Sequence, residues 1–367
     1  MPVVSLLIPV CGDGEGLEDS LESAKEQFLE DLEVICINDG GSVSVSKTIK
    51  KYVSDDKRFI SKKSDNIGYG GALNMGLGVA KGKYVAFLDP GDVLDKNALE
   101  RISSLAAACN ADVAKADFWM YPTEGKYAGK RKEAENIPFG LTGKLINIED
   151  NPDIMYQHPS LWTAVYKRGM LVRNGVRFDD GADVPFADVP FAFKVWVCAR
   201  RAVFTKIPIV EHHGNSDITP NTLEEAQILA DRYAGMEAFL AQREEKLEAF
   251  GGVYQRMRYR AYLQAYKRLE GDDRLAFLTQ MHDEIAADYK AGKVDKGAFE
   301  ADEYSDLEML VKSPKEFDEL QQKYSGDSRG DNIKRYAKSG GASLLGKMFT
   351  KKLKKDKNSS ADSPYSR

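Results

Sequence analysis

Four cysteines in 367 residues, Cys11, Cys36, Cys109 and Cys198, are too few and too far apart for a disulfide framework or a zinc motif. They lie mostly in apolar runs, as reduced, buried thiols of a cytoplasmic protein do. No window approaches the roughly 20 apolar residues that a membrane span needs. The segment Met1-Pro-Val-Val-Ser-Leu-Leu-Ile-Pro9 has neither the basic start nor the apolar length of a signal peptide. A net charge of -5 lacks the positive excess of a nucleic-acid binder. Internal repeats are absent too. These absences lead to the expectation of a cytoplasmic globular protein with no nucleic-acid partner.

Charge is unevenly placed, however. Residues 331–367 hold ten basic and three acidic residues, a net of +7, which leaves -12 for the remainder. Within that tail Leu344, Leu345, Met348, Phe349 and Leu353 share one face at helical spacing with lysines opposite. Such a pattern suits a helix lying on an anionic membrane surface, which would make the protein peripheral on the inner face of the cell membrane. The alternative is a solvated, flexible basic tail. The expected division is a catalytic domain over 1–221, a helical extension over 222–330 and the tail over 331–367.

The first 120 residues alternate short β-rich runs with amphipathic helical runs. Val3–Ile8, Leu32–Ile37, Arg58–Ser61, Tyr84–Leu88 and Val113–Asp117 read as strands. Helical spacing recurs between them, which predicts an α/β fold with a mostly parallel sheet flanked by helices. Tyr121–Asn151 is polar, rich in Gly and Lys, and reads as an excursion or mobile loop. A helix is expected from Trp162 to Arg173, and another entering near Asp188. From Thr222 the pattern is helical and charged, with Leu, Tyr and Phe on one face.

Chemistry concentrates at the strand ends. In Lys83-Tyr-Val-Ala-Phe-Leu-Asp-Pro-Gly-Asp92 an apolar run stops at Asp89 and Asp92 on a Pro-Gly turn. Carboxylates at the carboxyl end of a buried strand face the ligand edge of an open α/β sheet. A divalent metal carrying a phosphorylated ligand is their natural partner, and oxygen ligands suit Mn2+ or Mg2+. Gly68-Tyr69-Gly70-Gly71 permits close backbone approach to a ligand, with Asn66 and Asn74 as polar contacts. It is not a dinucleotide fingerprint, because Leu73 stands where the last glycine belongs.

Taken in order, these pieces resemble an inverting family 2 glycosyltransferase with the GT-A fold, of the bacterial polysaccharide-building kind. Val4–Val10 resembles the opening strand and Glu33–Ser42 the second strand with its Asp-Gly turn. Asn66–Asn74 resembles the glycine-rich loop and helix, and Gly82–Asp92 the strand entering the metal motif. His158-Pro-Ser-Leu-Trp162 and Phe186–Trp196 resemble the acceptor-side half. The likeness covers roughly 3–216. It implies that a nucleotide-linked sugar, UDP-linked by expectation, gives its sugar to a saccharide or lipid-linked saccharide hydroxyl. Asp39 would then pair with the base in a pocket walled by Pro9 and Val10. Asn66, Gly68, Gly70, Asn74 and Asp89 would contact the nucleotide, and Asp89 and Asp92 the metal. Asp188 would be the general base. His158, Trp162 and His213 are acceptor-side candidates, with Trp196 and His212 secondary.

Three positions depart from the family pattern. Gly91 stands where an aspartate is usual, Leu73 where an arginine is common, and Ala187 where a glutamate precedes the base. They keep open a catalytically degenerate protein that binds nucleotide or glycan without turnover. A sugar-nucleotide nucleotidyltransferase is disfavoured, since Val10–Leu17 holds no Lys or Arg for a triphosphate.

Overall fold

The computed structural model describes residues 2–122, 128–134, 136–179, 181, 185–214 and 219–324. The basic tail and its apolar face at Leu344–Leu353 lie outside the described residues. So do 123–127 and 135 of the expected excursion. The chain divides into two compact units, Met1–Ile218 with Ile228–Phe250, and Thr219–Gln227 with Gly251–Arg367.

Among the described residues the first unit has twelve strands: β1 (Val4–Val10), β2 (Leu32–Asp39), β3 (Phe59–Ser64), β4 (Tyr84–Phe87), β5 (Val93–Leu94), β6 (Val113–Ala116), β7 (Phe118–Tyr121), β8 (Lys132–Ala134), β9 (Leu145–Asn147), β10 (Ala164–Lys167), β11 (Arg201–Thr205) and β12 (Val210–His213). Eight of them form one sheet in the order β3-β2-β1-β4-β10-β6-β11-β9. Strands β1 and β2 pair parallel, as do β1 with β4, β2 with β3 and β6 with β11. A second sheet runs β5-β12-β7-β8. Every residue of β1 and β2 is buried, so both faces of the sheet are covered at these strands.

Helices α1 (Leu17–Lys25), α2 (Val43–Asp55), α3 (Gly68–Val79) and α4 (Ala98–Ala108) connect the parallel strands. The order of these elements is the one that periodicity predicts. The helix expected from Trp162 to Arg173 is different. Leu161–Thr163 is a single 3-10 turn, Ala164–Lys167 is β10, and only Arg168–Arg173 (α5) is α-helical. Strand β10 inserts antiparallel between β4 and β6. Ala164, Val165 and Tyr166 are buried there, so tertiary pairing overrides the weak helical spacing. The expected loop Tyr121–Asn151 likewise contains β8 and β9, each of which pairs with a neighbouring strand.

Helix α6 (Asp188–Cys198) seats Phe191 in an aromatic stack. Phe191 lies 4.0 Å from Phe178 with nearly parallel rings, and Phe87 meets both edge-on at 5.5 and 5.6 Å. Those contacts fix the helix start near the end of β4. Helices α7 (Leu223–Ala241), α8 (Glu244–Arg268), α9 (Gly271–Lys290), α10 (Ala301–Lys312) and α11 (Pro314–Lys323) follow. In the second unit, Tyr254, Tyr259, Tyr262, Tyr266, Phe277 and Phe317 are fully buried. Arg258 pairs there with Asp288, and Arg274 with Asp318. A core rich in aromatics, with ion pairs in and around it, explains why the sequence there is both charged and helical.

Candidate active site

The site is built from strand ends. Pro9 and Val10 close β1, Asp39 closes β2, and Asn66 precedes α3. With Cys11, Gly68, Tyr69 and Ala72 they line a pocket of about 90 Å³. Asp39 is 4% exposed, and each of its oxygens has a backbone donor. Ile67 N–H donates to Oδ1 at 2.9 Å and Gly68 N–H to Oδ2 at 2.7 Å. The carboxylate therefore caps α3, where helix N–H groups and the macrodipole favour negative charge.

The residues at the start of α3 turn two ways, with Gly68 lining the pocket as expected and Gly70 and Asn74 turned to neighbouring backbone. Tyr69 lines the pocket and donates its hydroxyl to Asp89 Oδ1 at 3.0 Å. Asn74 engages the backbone of Phe178, donating to its carbonyl and accepting from its N–H, both at 3.0 Å. Gly70 lies so close to Asp179 that a Cβ would sit 2.5 Å from the Asp179 carbonyl oxygen. Both hold α3 against residues 178–179.

A tight turn carries Asp89 and Asp92. Ser20 Oγ donates to the Asp92 carbonyl at 2.8 Å and accepts from Gly91 N–H at 2.9 Å. Gly91 has φ +94, a region that aspartate seldom occupies, which explains the missing third carboxylate. Asp92 is 1% exposed. Its oxygens lie 2.9 and 3.0 Å from His212 Nδ1, and Oδ1 accepts from His213 N–H at 3.1 Å. His212 in turn stacks on Trp162, with ring centres 4.4 Å apart. Burial and the neighbouring Asp92 charge push the Asp89 carboxyl up to about 7, against the hydrogen bond from Tyr69.

Asp188 opens α6. Burial raises its carboxyl above the ordinary 3.8, while its own and the Val189 backbone N–H groups and the Lys115 charge pull it back. The preceding Phe186 has φ +63, so the approach to Asp188 is strained. The Asp89, Asp188 and Asp92 charges all raise the Tyr69 hydroxyl, after burial. All three carboxylates are thus electrostatic neighbours of one phenol.

Placement of the remaining candidates is as follows. Trp162 is 7% exposed, packed edge-on to Phe118 at 4.5 Å within the core. His213 is exposed and reaches Tyr121 at 4.9 Å. His158 Nδ1 accepts from Ser160 N–H at 3.2 Å. Trp196 lies in the core near Phe204. Two further residues at the site were not singled out from sequence, Tyr69 and Lys115. Their signals were a single bulky aromatic among glycines and a lysine inside the apolar run Val113-Ala-Lys-Ala116.

Among the described residues no three His, Cys, Asp or Glu side chains group to hold a metal ion. Asp89 nonetheless fits a cation. Only its Oδ1 accepts from Tyr69, and its charge is opposed by burial and by Asp92. A divalent ion would offset that repulsion, and Mg2+ in particular is commonly held by one or two carboxylates plus substrate phosphates rather than by a full protein cage.

Residues 5–171 match the family model described as Glycosyl transferase family 2. The Bacillus subtilis (strain 168) protein named Uncharacterized glycosyltransferase EpsJ is 25% identical over 229 residues, 61% of this chain and 64% of that protein. The Cholesterol galactosyltransferase of Borreliella burgdorferi is 27% identical over 216 residues, 55% of this chain and 57% of that protein. The chain thus spans less than two thirds of either relative's length. The structure of S. aureus TarS 1–349 in complex with UDP-GlcNAc superposes with TM-score 0.65 at 14% identity, covering 89% of this chain and 91% of that one. Over residues 5–171 the chain is similar to Glycosyl transferase family 2, and its fold is GT-A.

Proposed function

We propose that this protein is a metal-assisted, inverting glycosyltransferase. It moves a sugar from a UDP-linked donor to a hydroxyl of a saccharide or lipid-linked saccharide, in cell-surface polysaccharide synthesis. The observation that carries this reading is that Tyr69 lines the Asp39 pocket and donates to Asp89, which shares a turn with Asp92, while the Asp188 charge reaches the same phenol. This supports a base pocket at Asp39, a diphosphate-facing turn at Asp89–Asp92 and a base at Asp188. The UDP-GlcNAc and UDP complexes of TarS, which has the same fold, support a nucleotide-sugar donor.

The chemistry follows from the residues. Asp188, with its raised carboxyl, takes the proton of the acceptor hydroxyl. That oxygen bonds to the anomeric carbon from the face opposite the leaving group, and the bond from carbon to the diphosphate oxygen breaks. No glycosyl-enzyme intermediate is involved. Asp89 and Asp92 would hold Mn2+ or Mg2+, which supplies Lewis-acid stabilisation of charge on the diphosphate. Tyr69 orients Asp89 toward that edge, and His212 holds Asp92.

A panel of nucleotide sugars screened by thermal shift with Mn2+ tests the donor. A true donor at 100 times its dissociation constant stabilises by about 2.7 kcal/mol. Turnover of the radiolabelled hit over several acceptors then tests the reaction. One observation favours a second reading, binding without turnover: Asp92 is already engaged by His212 and His213, leaving Asp89 as the less committed carboxylate. Binding without transfer or hydrolysis would decide for it.

A further inference from the structure

The buried Lys115 has no part in the chemistry above. It sits on β6 at 2% exposure, where an apolar side chain would be the unforced choice. Its amine donates to Pro159 O at 2.7 Å, Ser160 O at 2.9 Å, Ser160 Oγ at 2.7 Å and Thr163 Oγ1 at 2.9 Å. Three N–H bonds shared among four oxygens of one short segment make an anchor, not an incidental contact. What they anchor is strained, since Ser160 has φ +31 without being a glycine.

The anchored turn fixes His158. Its Nδ1 accepts the Ser160 N–H, so a neutral ring must carry its proton on Nε2. Burial, the Lys115 charge and His212 push the ring down to about 4, so it stays neutral. Nε2 is buried and has no hydrogen-bond partner. A buried, unanswered N–H donor is costly and asks for an oxygen acceptor. Lys115 also neighbours Asp188, whose ionised form its charge favours. Burial pushes the Lys115 amine down to about 7, against the Asp117 and Asp188 charges that favour its ammonium form.

Building on the glycosyl-transfer reading, we propose that Lys115 is a positioning residue for the sugar acceptor. It holds His158–Thr163 so that the His158 Nε2–H donates to an acceptor hydroxyl oxygen. A hydroxyl suits this donor because it can offer a lone pair to the His158 N–H while its own proton stays free to leave to a base. An ammonium on the acceptor has no lone pair to offer, so the cluster selects hydroxyl acceptors.

The test uses the full chain, with Lys115→Met to remove charge and hydrogen bonds at similar volume. Thr163→Val, which deletes one of the four oxygens, serves if Lys115→Met does not fold. Three quantities are read: UDP affinity with Mn2+ by calorimetry, transfer from a radiolabelled UDP-sugar, and the His158 ring nitrogens by 15N NMR. In Lys115→Met, UDP affinity stays within about twofold while transfer falls at least about tenfold, and His158 loses its fixed Nε2–H tautomer. In Thr163→Val the transfer loss is about threefold in the same direction, again with UDP affinity kept. Wild-type transfer in Lys115→Met, or parallel loss of UDP affinity and transfer, overturns the proposal. Wild-type protein that transfers no sugar sinks the glycosyl-transfer reading instead. The tautomer readout then still decides whether Lys115 holds His158.

Discussion

Asp188 is the residue where function and stability pull in opposite directions. Its carboxyl is raised chiefly by burial. The folded protein therefore binds that proton more tightly than the unfolded chain does. Stability from this group is present at low pH and is lost as pH rises from the unfolded value through the folded one. At neutral pH the ionised, buried form is a net cost. Asp188→Asn should thus raise the melting temperature at pH 7, with the gain shrinking on acidification, while transfer falls by roughly 10²–10⁴. Calorimetry across pH and a transfer assay check the two halves. With Asp188 as the proposed base, the acidic limb of kcat in the wild-type protein should lie above the ordinary carboxylate value of 3.8, because a base acts only when ionised. Lys115 lowers that midpoint, while Tyr69, Asp89 and Tyr166 are the other titrating groups coupled to Asp188.

At the scale of elements, α3 is the part on which the pocket turns. Asp39 caps it through two backbone N–H groups, so Asp39→Ala should destabilise by about 1–2 kcal/mol and weaken nucleotide binding together. Asp39→Asn keeps one acceptor and should be milder in stability. Close approach on the other side of the helix start is set by Gly70. Gly70→Ala drives a methyl to 2.5 Å from the Asp179 oxygen and should cost about 1–3 kcal/mol by urea melts. The Asp89–Asp92 turn obeys a similar constraint. Gly91→Asp would restore the family's usual carboxylate, yet at φ +94 it should lose about 1–2 kcal/mol of stability. A Gly91→Asp protein as stable as wild type would show that the turn tolerates a side chain, and the account of that departure would fail.

For the whole molecule, the balance of charge matters most. Asp89 and Asp92 repel each other in a buried setting, so a divalent cation should stabilise the fold even without donor. Added Mn2+ should raise the melting temperature of the wild-type protein, EDTA should reverse it, and Asp89→Asn should show no response. No described helix is long and apolar enough to cross a membrane. We propose that the basic tail supplies surface attachment instead, since its apolar face at Leu344–Leu353 is flanked by lysines. Flotation with anionic liposomes should be lost when residues 340–367 are removed, and equal flotation of both forms would refute the attachment.

The sequence alone determined the α/β class, the order of the parallel strands' elements and the placing of Asp39, Asp89 and Asp188 at strand or helix ends. Those are local matters: an apolar run stopping at a carboxylate and a turn can be read within ten residues. Tertiary structure alone decided what each carboxylate is joined to. Asp92 finds His212 across 120 positions, and Lys115 finds Ser160 across 45. It also made Ala164–Lys167 a strand, because the gap between β4 and β6 needed pairing. No local pattern encodes such partners, since burial and pairing energies depend on which distant segments the folded chain brings together.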